Sequence, residues 1–293
     1  MPANEKAIAI IDIGSNSVRI RVSKGNKVLA RSRVTTQLAR DFKDNKLNES
    51  SVNRTFDGLD RLFDIAKERN ATVFAFATAA VRNAQNKEDF VARFFKRYGV
   101  QLEVVSGDTE AKLGVIGALG GNSGQIIDIG GASSEIAVFN GQKITYAHSI
   151  KLGAVTLTDL CGRDIERARA RIFEHLQKID RPILTDCATH AIGGTANIIG
   201  FIQSKEPVFD RDKSNGQVIT ISELENLVVE FYKSTPENIV SVYKIDELRA
   251  KVIHSGTLLL FILAKFLGID KLVLTEDDNL EGYYALKVGG EDI

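Results

Sequence analysis

The sequence predicts an α/β protein of two similar domains that face each other across a cleft. Residues 10–34 and 126–150 align without a gap, and ten of the 25 aligned positions are identical. Both copies contain an Asp-x-Gly turn, and in both halves amphipathic helices and further strands follow the repeat. A chain of 293 residues is long enough for two domains of ordinary size. We predict domains at residues 1–121 and 122–293, divided at a flexible Gly-rich stretch.

The repeat predicts three antiparallel strands in each half. The segments IIDIGSNSVRI at 10–20 and IIDIGGASSEI at 126–136 each indicate a strand, a tight Gly/Ser turn and a second strand, and the turns KGN and NGQ lead into a third. Divergence from one ancestor explains the apolar identities. It does not explain why Asp12 and Asp128 are both retained, because a carboxylate at the end of a buried strand is costly unless something uses it.

Strands and helices are predicted to alternate in the rest of each half. A strand that runs into a small-residue turn is predicted at 73–80, and its counterpart lies at 188–196. Apolar residues recur with helical spacing in four segments. The predicted helices cover residues 51–69, 165–179, 222–233 and 249–267. Two such halves, each with its Asp-x-Gly turn directed at the other, define an interdomain cleft, which is a favoured place for a ligand.

The composition is that of a globular protein without a net charge. Lys and Arg together number 38, as do Asp and Glu, so the net charge favours neither DNA nor an anionic membrane as a partner. Cys161 and Cys187 form neither a metal-ligand spacing nor a disulfide framework, which is typical of a reducing compartment. The N-terminus lacks the apolar core of a signal peptide, and the most apolar segment, at 252–264, is too short to span a bilayer. We therefore expect a cytoplasmic protein.

The two Gly/Ser turns are candidate phosphate loops. Backbone N–H groups in such a turn converge on an anion, because no large side chain blocks the approach. The candidate residues are Gly14, Ser15, Asn16 and Ser17 in the first turn and Gly130, Gly131, Ala132 and Ser133 in the second. Asp12 and Asp128 would flank the same phosphates. Two carboxylates beside a polyphosphate require a cation, and Mg²⁺ is the ion we expect.

A further carboxylate, Glu110, lies in the segment LEVVSGDTEAKL at 102–113. This segment predicts a strand that ends at Ser106 and Gly107, followed by a helix with Asp108 as its N-cap. Glu110 is then in the first helical turn, where a glutamate also complements the helix dipole. Taken alone, this position favours the dipole explanation over a catalytic one.

These motifs, in this order, resemble the family of exopolyphosphatases and guanosine pentaphosphate phosphohydrolases (Ppx/GppA), which belongs to the superfamily of actin, sugar kinases and Hsp70. The matching blocks extend through nearly the whole chain. They are DIGSNSVRI at 12–20, AFATAAVRNAQN at 75–86, EVVSGDTEAKL at 103–113, DIGGASSEI at 128–136, SIKLGAVTLT at 149–158 and AIGGTANI at 191–198. The resemblance implies two duplicated actin-like ATPase (ribonuclease H-like) domains, as in the short two-domain members.

The resemblance also implies an activity, hydrolysis of a terminal phosphoanhydride bond in inorganic polyphosphate or in pppGpp, a nucleotide of the stringent response. It implies that Glu110 is the general base that positions water, that Arg82 neutralises charge on the phosphate chain, and that Asp128 is a catalytic residue of the magnesium or phosphate site. The other implied residues are Glu135, Gly193, Gly194 and Thr195 for phosphate, and Asp12, Asp128 and Glu135 for Mg²⁺. The implied partners are polyphosphate or guanosine penta- or tetraphosphate.

The chain departs from the family pattern at several positions. Thr109 stands where the family usually has the first of two glutamates, and Ala132 replaces a third loop glycine. Lys251 replaces an expected Asp. The segment TEDDNLEGYY at 275–284 keeps only the Glu-Gly of a Gly-Leu-Arg-Glu-Gly pattern. The changes concern substrate binding more than the catalytic core.

Three functions are therefore open from the sequence. A metal-dependent phosphohydrolase fits the retained Glu110 and the family-specific blocks. A catalytically weak regulator that binds (p)ppGpp or polyphosphate fits the departures, and an ATP-dependent kinase or actin-like filament fits the superfamily. We favour the hydrolase, without ranking polyphosphate against pppGpp. The apolar surface of the helices at 222–233 and 249–267 is sufficient for a homodimer.

A basic stripe is the last feature of the sequence. Arg163, Arg167 and Arg171 follow each other at four-residue steps in the predicted helix at 165–179 and just before it. Like charges at this spacing destabilise a helix slightly unless an anion lies alongside. Because acidic residues are interspersed, a solvated helix face is favoured over a track for polyphosphate.

Overall fold

The protein, for which we have a computed structural model, has two sheets, one for each copy of the repeat; the structure describes residues 6–42 and 45–289. The first sheet has the order β3-β2-β1-β4-β5, in which β1 pairs antiparallel with β2 and parallel with β4. Its strands are β1 (Ile8–Ile13), β2 (Ser17–Lys24), β3 (Lys27–Thr35), β4 (Thr72–Ala77) and β5 (Leu102–Val104).

The second sheet repeats this arrangement and extends it by one strand. Its order is β10-β11-β9-β6-β7-β8, in which β6 pairs antiparallel with β7 and parallel with β9. Its strands are β6 (Gly124–Ile129), β7 (Ser134–Phe139), β8 (Ile144–Ile150), β9 (Thr189–Ile192), β10 (Gln217–Thr220) and β11 (Lys271–Leu274). The prediction of an α/β fold built from two duplicated halves is confirmed.

Helices cover the faces of both sheets. In the first half they are α1 (Glu49–Glu68), α2 (Ala79–Arg82), α3 (Lys87–Tyr98) and α4 (Gly107–Leu119). In the second half they are α5 (Ala154–Cys161), α6 (Ile165–Leu176), α7 (Gly193–Ser204), α8 (Arg211–Ser214), α9 (Ile221–Lys233), α10 (Pro236–Tyr243), α11 (Glu247–Ala250), α12 (Ile253–Leu267) and α13 (Asn279–Gly289). No helix in the described ranges is both long enough and apolar enough to cross a membrane.

The predicted single helix at 249–267 is wrong, because the chain breaks between α11 and α12. Val252 has φ −121° and ψ −10°, outside the helical range, and its side chain is buried at the edge of the interdomain cleft. Apolar periodicity does not detect such a break, since the residues on both sides of it are buried. The helix predicted at 165–179 is confirmed as far as residue 176.

The helices α4 and α13 cross between the two sheets. Ala111 and Val115 of α4 pack in a cluster with Ile126 of the second sheet, whereas the Tyr283 ring of α13 stacks on Phe76 of the first sheet with a centroid distance of 4.5 Å. The helices touch each other where small residues let their backbones approach. A side chain at either Gly117 or Gly282 would overlap backbone atoms of the other helix. The predicted boundary at residue 121 lies between the sheets, and α13 packs across it onto the first half.

Arg163, the first arginine of the predicted basic stripe, does not lie on the same helix face as Arg167 and Arg171. Arg163 precedes α6, whose N-cap is Asp164, and its guanidinium donates to the carbonyls of Phe231 and Ser234 instead of lining the helix. Arg171 pairs with the carboxylate of Glu174 at 2.8 Å. The remaining helical surface is a solvated face, as the sequence favoured.

Candidate active site

The interdomain cleft, of about 770 Å³ and open to solvent, is lined by residues from both halves. The predicted site residues that border it are Asp12, Gly14, Ser15, Asn16, Ser17, Glu110, Asp128, Gly130, Gly131, Ser133, Gly193, Gly194 and Thr195. Ala132, Glu135 and Arg82 do not border it. The Asp-x-Gly turns, the segment after β9 and the start of α4 therefore meet at one place, because each follows the carboxyl end of a neighbouring strand.

The two Gly/Ser turns have the same hydrogen bond and touch each other. The Gly14 N–H donates to the Ser17 carbonyl and the Gly130 N–H donates to the Ser133 carbonyl, both at 3.0 Å. A Cβ atom at Gly131 would lie only 2.8 Å from Cβ of Ser15, so glycine is needed for this approach. The contact brings the two candidate phosphate loops into a single wall of the cleft.

The first turn is held rigidly, and some of its donors are free. The carbonyl of Ser15 accepts from the Ala39 N–H at 2.9 Å, and the Ser15 hydroxyl accepts from the Ala80 N–H at 3.1 Å. The backbone N–H groups of Ser15 and Asn16 have no acceptor among the described residues, nor do those of residues 131–133 in the second turn. Fixed, unpaired N–H groups on both turns are what an anion site requires.

Glu110 is buried in the first turn of α4 and paired with Arg82. Oε2 of Glu110 accepts from Nη1 of Arg82 at 2.7 Å, and the same nitrogen donates to the Val105 carbonyl at 3.0 Å. Burial raises the pKa of Glu110 above its usual value, and Arg82 opposes this effect. The N-cap of α4 is Ser106, which accepts from the Thr109 N–H at 3.0 Å, so the prediction that Asp108 caps the helix is wrong. The N-cap lies two residues earlier than predicted, because the helix already begins at Gly107.

Asp128 and Glu135 face each other across the β6–β7 pair. Oδ2 of Asp128 accepts from Nδ2 of Asn279 at 3.1 Å, and Oε1 of Glu135 accepts from the Ser149 hydroxyl at 2.7 Å. Burial raises the pKa of Asp128 to about 8, with further contributions from Asp278 and Glu110. Burial also raises the pKa of Glu135 well above its usual range. The site thus concentrates buried carboxyl groups whose ionisation is unfavourable unless a cation balances the charge.

Asp12 is bound to Arg19 through one of its two oxygens. Oδ2 accepts from Nε of Arg19 at 2.9 Å, whereas Oδ1 is buried and has no hydrogen-bond partner in the described part of the chain. Burial raises the pKa of Asp12, although Arg19 opposes this. An orphaned carboxylate oxygen at the edge of an anion site is a suitable ligand for a cation.

A magnesium ion fits this donor set if few of its ligands come from the protein. Within residues 6–42 and 45–289, no three His, Cys, Asp or Glu side chains are grouped closely enough to hold a metal by themselves. Mg²⁺ often keeps several waters and is bound by one or two carboxylates plus the phosphates of the substrate. Asp12 and Asp128, with Glu135 behind them, would supply those carboxylates.

Several residues that line the cleft are not among the predicted site residues. These are Arg19, Arg33, Thr78, Arg249 and Asn279. Arg19 and Thr78 lie inside blocks that had been recognised, but no role was assigned to them. Asn279 is the first residue of α13, five residues after β11 ends at Leu274, so the strand-and-turn pattern of the Asp-x-Gly segments does not mark it.

A second cavity, which we call the side pocket, opens beside the cleft and shares Arg19, Arg33, Ile198 and Arg249 with it. Its empty space is about 1140 Å³, open to solvent. The other lining residues are Ile20, Arg31, Ser32, Asn197, Phe201, Phe209, Arg211, Lys244, Ile245, Asp246, Glu276, Leu280 and Glu281. The side pocket therefore combines cationic, aromatic and aliphatic side chains.

Gly193 is irreplaceable for a local reason, and this can be tested. It has φ +85°, and an added Cβ would overlap Oδ1 of Asp128. We expect Gly193→Ala to lower the free energy of unfolding by about 2–4 kcal/mol, as the sum of backbone strain and overpacking. The matched control is Gly194→Ala, since the nearest atom to a Cβ there is Nη2 of Arg249 at 3.7 Å. Equal stability of the two variants in urea unfolding would contradict this account.

Comparisons with known proteins agree with this geometry. The sequence profile of the Ppx/GppA phosphatase family matches residues 18–283. A curated relative, the bifunctional 3-dehydroquinate synthase/phosphatase of Fusobacterium nucleatum, is 26% identical over 303 residues, covering 94% of this chain and 45% of the relative. The chain thus spans less than half the length of that protein.

Solved structures share the fold over nearly the whole chain. A Ppx/GppA family member from Aquifex aeolicus is 25% identical with a TM-score of 0.76, and the match covers 98% of this chain and 99% of that one. An exopolyphosphatase from Cytophaga hutchinsonii is 20% identical with a TM-score of 0.85 and the same coverage. An exopolyphosphatase-like protein has a TM-score of 0.86 at 21% identity, covering 96% and 99%. The resemblance noted in the sequence is confirmed, and the chain belongs to the Ppx/GppA phosphatase family.

Proposed function

We propose that this protein hydrolyses the terminal phosphoanhydride bond of inorganic polyphosphate or pppGpp with the help of Mg²⁺. The observation that carries the proposal is the position of Glu110, a buried carboxylate that borders the same cleft as both Gly/Ser turns. A protein that only binds phosphates has no use for a carboxylate at that place. The family assignment and the relative named as a phosphatase support the same chemistry.

The chain's own residues divide the reaction between them. The free N–H groups of the two turns hold the terminal phosphate, and Glu110 orients a water in line with the bond to be broken and accepts its proton. Burial raises the pKa of Glu110, which makes its carboxylate a stronger base than an exposed one. Arg82 positions the Glu110 carboxylate through the 2.7 Å hydrogen bond. Mg²⁺, held by Asp128 and Asp12, would neutralise charge on the phosphates.

The side pocket favours pppGpp as the substrate over polyphosphate. Oε1 of the buried Glu276 and both amide atoms of the buried Asn197 have no hydrogen-bond partner among the described residues. The Watson–Crick edge of guanine carries N–H donors that fit a carboxylate, and the aromatic side chains of Phe201 and Phe209 lie in the same pocket. A polyphosphate chain has neither N–H donors for the carboxylate of Glu276 nor an aromatic ring for Phe201 and Phe209. Burial and charge would thus place the base beside the phosphate cleft.

Phosphate release is the test of this function. We expect magnesium-dependent release of phosphate from pppGpp and from long-chain polyphosphate, and no turnover of ATP. Release from neither substrate with binding retained would make the protein a regulator that senses these molecules. ATP turnover would instead favour the kinase-like alternative.

A variant of the side pocket ranks the two substrates. We expect Glu276→Gln to raise KM for pppGpp about tenfold, because one of the two oxygens that can accept from the guanine edge is replaced by an N–H donor. Polyphosphate turnover by the same variant is the internal control and is expected to stay the same or to increase. Unchanged kinetics with pppGpp would contradict a guanine site in the side pocket.

A cytoplasmic location and a homodimer stay predictions; size-exclusion chromatography with light scattering tests the dimer.

A further inference from the structure

Arg19 is held between two carboxylates. Its Nε and Nη2 donate to Oδ2 of Asp12, and its Nη1 donates to Oδ2 of Asp278. Asp12 is the partner of Arg19 in the register of β1 and β2. Asp278 comes from the far end of the chain, 259 residues away in sequence. The guanidinium charge is therefore more than balanced before a substrate arrives.

Asp278 is fixed in this position by its helix. As the N-cap of α13, its Oδ1 accepts from the Leu280 N–H at 3.1 Å, and Oε2 of Glu281 accepts from the Asp278 N–H at 3.1 Å. Together they are a variant of the capping box in which the N-cap side chain accepts from the second helical N–H rather than the third. The side chain of Asp278 is 1% exposed. Burial, the largest single effect, opposes its ionisation. The charge and hydrogen bond of Arg19, with the Leu280 N–H and the charge of Arg33, together lower the pKa of Asp278, so the carboxylate is charged at neutral pH.

Arg19 faces the cavities, whereas Asp278 lies behind it. Arg19 borders both the cleft and the side pocket, and Asp278 borders neither. Two other arginines of the cleft, Arg33 and Arg249, form no ion pair in the described residues. An anion that enters the cleft thus meets three guanidinium groups. Arg19 is already paired with two carboxylates, and Nη2 of Arg249 donates to the Gly194 carbonyl at 2.9 Å.

We propose that Asp278 is an internal competitor of the substrate for Arg19 and that it sets the affinity of the cleft for phosphate. A phosphate oxygen that binds Arg19 either shares the guanidinium with Asp278, against the repulsion of like charges, or displaces it. Both alternatives weaken anion binding compared with an Arg19 that is paired with Asp12 alone. The inference rests on the proposed function only in assuming that the cleft binds phosphates.

Two substitutions remove the competing charge while keeping the helix cap. Asp278→Ser creates a Ser-x-x-Glu capping box with Glu281, and its side chain is too short to reach Arg19. Asp278→Asn keeps the shape of the side chain and also caps a helix well. The matched control is Asp277→Asn, which removes the same charge one residue earlier, from a partly exposed carboxylate that pairs with Arg211.

The measurement is the dissociation constant of imidodiphosphate, a pyrophosphate analogue that resists hydrolysis, by titration calorimetry with magnesium present. We expect both Asp278 variants to bind it about tenfold more tightly than the wild type, and the Asp277 variant to bind it as the wild type does. Unchanged or weaker binding by the two Asp278 variants would overturn the proposal. Equal tightening in the Asp277 variant would also overturn it, since net charge rather than the Arg19 contact would then be the cause.

Failure of this inference is distinguishable from failure of the proposed function. If the wild type and every variant bind no imidodiphosphate, the cleft is not a phosphate site, and both proposals fall. If the wild type binds it and the Asp278 variants bind no more tightly, only the role of Asp278 is lost. Thermal unfolding of each variant shows whether the α13 cap has been kept.

Discussion

Replacing Glu110 with glutamine is expected to lower the rate of phosphate release by about two to four orders of magnitude, because the amide can still accept a hydrogen bond but cannot take the proton of the attacking water. Glutamine keeps the shape of the side chain, and its oxygen can still accept from Nη1 of Arg82. We therefore expect kcat to fall and the affinity for imidodiphosphate to stay within about threefold of the wild type. Initial rates with pppGpp and polyphosphate, together with calorimetry, measure both quantities.

The control for this variant is Asp108→Asn in the same helical turn. Asp108→Asn removes a carboxylate of equal charge. The Asp108 side chain is exposed and does not border the cleft. We expect it to keep full activity. If both variants lose activity alike, the charge of the first turn of α4 matters rather than a base at Glu110, and the dipole explanation for Glu110 would be correct.

The parts of the site that could be predicted are those encoded locally. Asp12 and Asp128 were found because the strand, turn and strand pattern occurs twice, and a repeated pattern excludes coincidence. The structure places both turns against each other, as the repeat implied. Local sequence patterns are sufficient to predict these residues, because each turn directly follows its strand and the strand therefore positions the turn at the cleft.

The parts that could not be predicted depend on contacts between distant segments. The Arg19–Asp278 pair joins β2 to the start of α13, and nothing in either local pattern indicates the other. The crossing of α4 and α13 could not be predicted for the same reason. The need for glycine at Gly117 depends on the backbone of a distant segment that packs against it. The prediction of the α4 N-cap is wrong for a different reason. Ser106 and Asp108 are both residues that favour an N-cap, and only the first residue of the helix decides between them.

Replacing Arg82 with glutamine is expected to move the acidic limb of the pH–rate profile to higher pH. Burial raises the pKa of Glu110, while the charge and hydrogen bond of Arg82 lower it. Without Arg82 the hydrogen bond of Thr78 is the lowering contribution that remains. The pKa of Glu110 therefore rises, and a smaller fraction of Glu110 is ionised at a given pH. A base must be ionised to act, and we expect about a tenfold loss of kcat/KM at neutral pH that is partly recovered in more alkaline buffer.

The profile separates two roles of Arg82. If Arg82 neutralised the phosphate chain, as the family resemblance implies, its loss would raise KM at every pH and leave the shape of the profile unchanged. Nη1 of Arg82 donates to Glu110 and to the Val105 carbonyl, and this favours the positioning role. Arg82→Lys is the conservative variant, because it keeps the charge beside Glu110 and should restore part of the shift. A pH-independent rise in KM for both variants would contradict the positioning role. It would support the alternative that Arg82 neutralises charge on the phosphate chain.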